Sequence, residues 1–224
     1  MRKAFTLLEL VFVIVVIGIL AALILPRTKT NPVQEAAIQV LSHIRYTQHL
    51  AMVDDKYNAN DIHWYMARWQ IVFGNNNQYA NHKPAYTIFA DSLNTSTNTY
   101  SGDPKESEIA LNPQNHNQIM TGGYNNTAAL NYNSAGFKGM KQLNLGENYG
   151  ITNVSFSGGC NIGLRISFDY LGRPFTGDQH AMTGPYTAGT QRLITSDCNI
   201  TLTDGTETAV IQISPETGYA KVIF

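Results

Sequence analysis

The stretch FTLLELVFVIVVIGILAALIL, Phe5 to Leu25, decides how the chain is read. Its one charged residue is Glu9, and none stands between Leu10 and Pro26. An α-helix needs roughly 20 apolar residues to cross a hydrocarbon core of about 30 Å, so the run predicts a transmembrane helix over 5–25. A carboxylate in such a segment is costly and functional by default, and Glu9 is therefore expected to have a partner.

The partner is sought in the four residues in front. An ordinary secretory signal is cut after its apolar core; here the small residue, Ala4 of Met1-Arg2-Lys3-Ala4, comes before it. Cleavage between Ala4 and Phe5 would free an α-ammonium four residues from Glu9, a spacing that shares one helix face. The charge would come from the same chain or, in a packed array, from a neighbour. Arg2 and Lys3 ahead of the apolar run place the short end in the cytoplasm by the positive-inside bias, and the rest of the chain beyond the membrane.

Ala4-Phe5-Thr6-Leu7-Leu8-Glu9 followed by an apolar helix reaching Pro26 resembles the class III leader and N-terminal helix of type IV pilins and type II secretion pseudopilins. The resemblance implies that a prepilin peptidase removes residues 1–4, that Phe5 becomes N-methylphenylalanine, and that subunits assemble through this helix, with Phe5, Glu9 and Pro26 as assembly residues. It also implies a bacterial inner-membrane protein, single-pass, with a periplasmic domain. Ala4 departs from the Gly usual before the cut, so processing is expected to be slower or differently tuned.

The 224 residues, 43% hydrophobic and 14% charged, allow one sizeable globular domain beyond the anchor. Fifteen Lys and Arg against sixteen Asp and Glu create no field that would draw nucleic acid, and no nucleic-acid partner is expected. Pro26 predicts a kink. Asn31 as N-cap, Pro32 at the first helical position and Gln34 at the third restart a helix. Val33, Ala37, Val40, Leu41, Ile44 and Ala51 then form an apolar stripe that should face a sheet. Residues 26–54 thus read as an amphipathic continuation, giving a spine of roughly 75 Å at 1.5 Å per residue.

The domain proper is expected over 55–224. Trp69–Phe73 and Tyr86–Ala90 read as a hairpin around Gly74-Asn75-Asn76-Asn77. From 92 to 150 the chain is rich in Asn, Gly, Ser and Thr without sustained periodicity, the mark of a loop-rich insertion. Ile162–Phe168 alternates like a strand and stops at Asp169–Pro174. Asn199–Thr203, Ala209–Ser214 and Tyr219–Phe224, separated by Asp204-Gly205 and Pro215–Gly218, read as a three-stranded meander. This order is similar to that of H-type minor pseudopilins and FimT-like minor pilins, except for the insertion. The expected fold class is α+β: a long N-terminal transmembrane and amphipathic helix packed on an antiparallel β-sheet domain, pilin-like.

Cys160 and Cys198 are the only cysteines. In an extracytoplasmic domain they point to a disulfide, since Zn²⁺ wants about four ligands and no nearby Cys or His supplies them; two unpaired buried thiols are the alternative. The six histidines, His43, His49, His63, His82, His116 and His180, stand in no metalloprotease spacing, and there is no Gly-x-Ser-x-Gly elbow or phosphate loop. No enzyme activity, catalytic residue, metal or cofactor is therefore expected. Asn199 sits in one of several Asn-x-Ser/Thr matches. Trp64, Tyr65 and Trp69 form an aromatic strip that reads as core or as a ligand platform.

The function expected is that of a filament subunit: a minor pseudopilin of a type II secretion system that helps initiate or cap a pseudopilus. Its partners would be other pilin or pseudopilin subunits, prepilin peptidase and the inner membrane. The alternative is a minor type IV pilin acting in pilus assembly or DNA uptake; the segment from Leu193 offers only Lys221 to phosphates, while Lys138 and Lys141 beside Phe137 keep this reading open.

Overall fold

The computed structural model describes residues 6–24, 31–186 and 192–223, with residues 21–24 as backbone only. Two compact units make up the chain, Met1–Asn31 and Pro32–Phe224.

In the first unit a single helix, α1, spans Leu7–Ile24. Its 18 residues are about 27 Å long at 1.5 Å per residue, short of the roughly 30 Å hydrocarbon core. Among the described residues no helix is long and apolar enough to cross a membrane. The expected transmembrane helix over 5–25, and with it the single-pass inner-membrane placement, is corrected on this ground. The fold is α+β, with no membrane-spanning helix among the described residues. The second helix belongs to the other unit, and residues 25–30, including the expected kink at Pro26, lie outside the described residues.

The second unit opens with α2, Pro32–Val53, within a residue of each expected boundary. It buries Val33, Ala36, Ala37, Val40, Ile44, Thr47 and Ala51. The alanines let the helix sit close to its support. Thr47, polar yet buried, turns its hydroxyl back to the His43 carbonyl at 2.8 Å, so its burial leaves no orphaned donor. The face meets two sheets where the sequence implied one. The first runs β2 (Lys83–Ala90), β1 (Trp69–Asn77), β6 (Arg165–Phe168), β7 (Pro174–Thr176), and the second β10 (Ala220–Ile223), β9 (Thr208–Ile213), β8 (Cys198–Thr203), β5 (Asn153–Gly158). All their pairings are antiparallel. α2 packs on β1 and β6 of one sheet and on β8, β9 and β10 of the other.

The expected hairpin is present, with Trp69 opposite Ala90. Its turn lies later than expected, because the Asn-rich stretch stays in the strand to Asn77 and the reversal falls at Asn81 and His82, both left-handed. Asn75 is no turn residue either. Its amide accepts from Val154 N and donates to Val154 O, both at 2.8 Å, and so stands in for a strand partner that ties β1 to β5 across the two sheets. The meander is observed as β8, β9 and β10. β5, over residues that the sequence assigns to no element, extends it.

The insertion 92–150 is built of short pieces, including a ribbon of β3 (Leu111–Asn112) and β4 (Asn115–Ile119) and a short helix α3 (Leu145–Tyr149). It is no satellite. Ile109, Ala110, Ile119, Met120, Leu130, Leu143 and Leu145 all join the main core. Ala110 N donates to Ile88 O at 2.9 Å and Ile88 N to Met120 O at 3.0 Å, so the insertion caps the outer edge of β2, which would otherwise offer free strand groups.

Cys160 and Cys198 form the expected disulfide, with Cα atoms 5.1 Å apart. It closes the end of the β5–β8 pair, where Gly158 lies opposite Cys198. A Cβ at Gly158 or Gly159 would strike the Asp197 or Ser196 carbonyl, so the approach that permits the bridge requires both glycines. For a bridge spanning 38 residues the chain-entropy relation gives roughly 4 kcal/mol. A Cys160→Ser/Cys198→Ser double variant should lose about 3 to 4 kcal/mol of unfolding free energy in urea titration, an effect that reduction of the wild type should reproduce; a loss below about 1 kcal/mol would contradict it.

Candidate functional site

α1 is apolar on every side. The described side chains from Leu7 to Leu20 are all exposed, and no face carries a polar stripe. Glu9 sits in its first turn. Its carboxylate accepts from Thr6 N at 2.9 Å and from the Thr6 hydroxyl at 2.8 Å, while Thr6 Oγ1 lies 3.3 Å from Glu9 N. This is a reciprocal cap that satisfies donors the helix cannot satisfy itself. Glu9 therefore has a partner within its own chain, and the Thr-x-x-Glu spacing before an apolar run was the legible sign of it. Ala4, Phe5 and Pro26, the other processing and assembly positions, lie outside the described residues.

The histidines divide by environment. His43, on α2, is no surface residue: its Nδ1 lies 2.6 Å from the Tyr86 hydroxyl. That hydroxyl accepts from Gln39 Nε2 at 3.0 Å and so donates to an unprotonated Nδ1. Gln39 also donates to Gln142 O and accepts from the Tyr149 hydroxyl, which joins α2, β2 and the insertion in one network. Burial holds the His43 pKa down to about 4.

His180 is the opposite case. Nδ1 is 2.9 Å from Asp178 Oδ1 and Nε2 is 3.5 Å from Asp91 Oδ2, an ion pair rather than an aligned hydrogen bond. Its pKa is raised, chiefly by the hydrogen bond to Asp178 and further by the Asp178 and Asp91 charges, against burial and Arg165. The bonded Asp178 is held down at about 2. Gly102 N donates to Asp91 Oδ2 at 2.6 Å, and a Cβ at Gly102, whose φ is +73°, would come within 2.9 Å of His180 Nδ1. Both imidazole nitrogens face carboxylates, leaving none to activate a nucleophile. The cluster is a clasp holding the start of the insertion to the turn after β7. Among the described residues no group of three His, Cys, Asp or Glu side chains is arranged to hold a metal.

The aromatic strip separates. Trp64 and Tyr65 lie on a 3-10 turn, Trp64–Ala67, and only Trp69 enters a strand. Tyr65 is core, its hydroxyl donating to Met182 O at 2.9 Å. Trp64 is half-buried beside a cavity of about 350 Å³ lined by Tyr57, Tyr170, Tyr186 and Asp55. The three tyrosines carry no joint signal in the sequence because they come from separate loops. Asn199 lies in the central strand β8, its side-chain oxygen 3.4 Å from Gln212 Nε2.

Comparison with protein-family models, with curated proteins and with solved structures yields no match.

The two histidines predict opposite pH slopes. His43 binds its proton more weakly folded than unfolded, so its contribution is complete above the unfolded value of 6.5 and is lost as pH falls towards about 4. At about 1.4 kcal/mol per unit this is of order 3 kcal/mol. His180 binds its proton more strongly when folded, so its contribution is complete below 6.5 and fades as pH rises through its raised value. Urea unfolding at a series of pH values should show His43→Gln flattening the acid limb between 6.5 and 4 and His180→Gln flattening the limb above 6.5; unchanged limbs would contradict these environments.

Proposed function

We propose that the chain is a pilin-like filament subunit, in its finer form a minor pseudopilin of a type II secretion system, with α1 as its assembly element. The observation that carries the reading is a helix exposed and apolar all round, with one carboxylate in its first turn. Apolar surface of that extent is covered in working proteins, and a helix apolar on every face needs neighbours on every side. One partner helix would cover a single stripe. A filament core, in which each helix is surrounded by those of sister subunits, covers the whole. Gly18, with open space where a Cβ would stand, gives such helices a place of close approach.

Glu9 then has two tasks. In the free subunit it caps α1 through Thr6; in the array its charge meets the Phe5 ammonium that prepilin peptidase frees by removing residues 1–4. Once surrounded by apolar helices, a carboxylate without that counter-charge would be expensive, so docking and charge pairing reinforce each other. A minor pilin serving DNA uptake is the weaker alternative. Of Lys138 and Lys141, the cations that would meet phosphates, Lys138 is already paired with Glu106 at 2.6 Å.

The two tasks can be separated. Glu9→Gln keeps an amide able to cap, whereas Thr6→Ala keeps the charge and loses the hydroxyl. With a photo-crosslinker at Ile17 in the full chain, co-expressed with its sister subunits, Glu9→Gln should cut crosslinking by at least about a hundredfold, the low end for breaking one side of a buried charge pair. Thr6→Ala should cost only about fivefold, as one lost cap of about 1 kcal/mol does. Equal crosslinking in wild type and Glu9→Gln would remove the charge role. Sister subunits captured equally well after deletion of residues 1–31 would overturn the assembly role of α1.

A further inference from the structure

The cavity beside Trp64 is accounted for by neither the core nor the filament reading. Its walls come from four places: Asp55 and Tyr57 follow α2, Trp64 lies on the 3-10 turn, Tyr170 on the β6–β7 turn, and Tyr186 after Met182. Tyr57 and Tyr170 are 62% and 47% exposed, although large aromatic rings are normally among the better-buried side chains. Tyr57 meets Trp64 edge-on, 5.3 Å between centroids at 75°, so the two rings form a corner. At about 350 Å³ the cavity falls in the range of small-ligand sites.

An aromatic cage with one carboxylate first suggests a cationic ligand. The surroundings argue against it. Arg68, 2% exposed, already lies 5.3 Å from the Trp64 ring and 5.1 Å from that of Tyr186, and Arg173 lies 5.0 Å from Tyr186. Two of the four rings, Trp64 and Tyr186, already have a guanidinium beside them, and a third positive charge would be repelled. Lys56 is paired with Asp54 and Arg173 with Asp169, so beyond these pairs the buried Arg68 offsets Asp55 and the site is close to neutral.

We propose that this pocket binds a neutral hexopyranose unit of an oligosaccharide. A pyranose ring presents apolar C–H faces that lie on aromatic rings and a rim of hydroxyls that needs donors and acceptors, and the pocket offers both. The Tyr57 and Trp64 corner gives the stacking surface. Tyr57 and Tyr170, both exposed, can turn their hydroxyls to a ligand. One oxygen of Asp55 accepts from Tyr57 N at 3.0 Å, which fixes the carboxylate and leaves the other oxygen for sugar hydroxyls. The neutral balance selects an uncharged sugar.

The test titrates the full chain, in a detergent without a sugar headgroup, with cellotetraose, maltotetraose and chitotetraose, reading the fluorescence of Trp64 and Trp69, the only two tryptophans. Saturable binding of at least one is expected. It should weaken at least about tenfold, or about 1.4 kcal/mol, in Tyr57→Ala and in Tyr170→Ala, whose exposed positions leave folding intact. Tyr57→Phe, which keeps the ring, should lose less than Tyr57→Ala. The proposal is overturned if no tetrasaccharide gives a saturable response, if tetramethylammonium binds and the sugars do not, or if sugar binding survives both alanine substitutions. None of these outcomes bears on assembly through α1.

Discussion

The stripe that α2 lays against two sheets is the constraint on which the second unit depends. Neither four-stranded sheet has a face of its own to close against, and the buried side chains from Val33 to Ala51 give both the same wall. At about 25 cal/mol per Å² the burial of this stripe is the largest single reason for the helix to stay helical once docked, since propensity alone makes a marginal helix of such length. The polar flanks fix its rotation. Arg45 donates to Ala220 O at 2.7 Å, and Gln48 donates to Gly172 O at 2.9 Å and to Thr217 O at 2.8 Å, so turning the helix would break bonds to both sheets at once.

The same economy of polar groups governs the loops. Asp169 accepts from the backbone of Leu171 and Arg173 and from the Arg173 side chain, which makes one buried carboxylate the organiser of the β6–β7 turn. That turn presents Tyr170 to the aromatic pocket, while Arg173 backs Tyr186. Tyr170 thus stands on a hydrogen-bonded turn, and preorganised side chains are what a binding surface requires. The clasp of Asp91, His180 and Asp178 does similar work on the far side of the 3-10 turn, where His63, Tyr100 and His180 border a cavity of about 190 Å³.

The two units answer to different physics. The second buries a continuous apolar core of its own. In the first, the described side chains of α1 stay exposed, and the one charged residue of that helix, Glu9, is committed to a cap. The proposed filament role therefore rests on α1 alone and the proposed saccharide site on the domain alone.

By itself the sequence determined the features that local periodicity and turn chemistry dictate. The 3.6-residue stripe of α2, the hairpin of β1 and β2, the meander from β8 to β10 and the pairing of Cys160 with Cys198 were all legible, because each is specified by neighbours within a few residues or by scarcity of alternatives. The cap of Thr6 and Glu9 is equally local, yet the long apolar run around it points to distant partners and masks it. Apolarity also overstated α1: it measures how strongly residues avoid water, whereas spanning a bilayer depends on the length of helix formed, and 18 residues fall short of the core. The tertiary structure alone decided that Asn75 joins two sheets, that an aperiodic insertion supplies Leu130, Leu143 and Leu145 to the core, and that Tyr57, Trp64, Tyr170 and Tyr186 share one pocket. These juxtapositions are set by loop closure over tens to more than a hundred residues, and no local pattern encodes a contact whose two halves are that far apart.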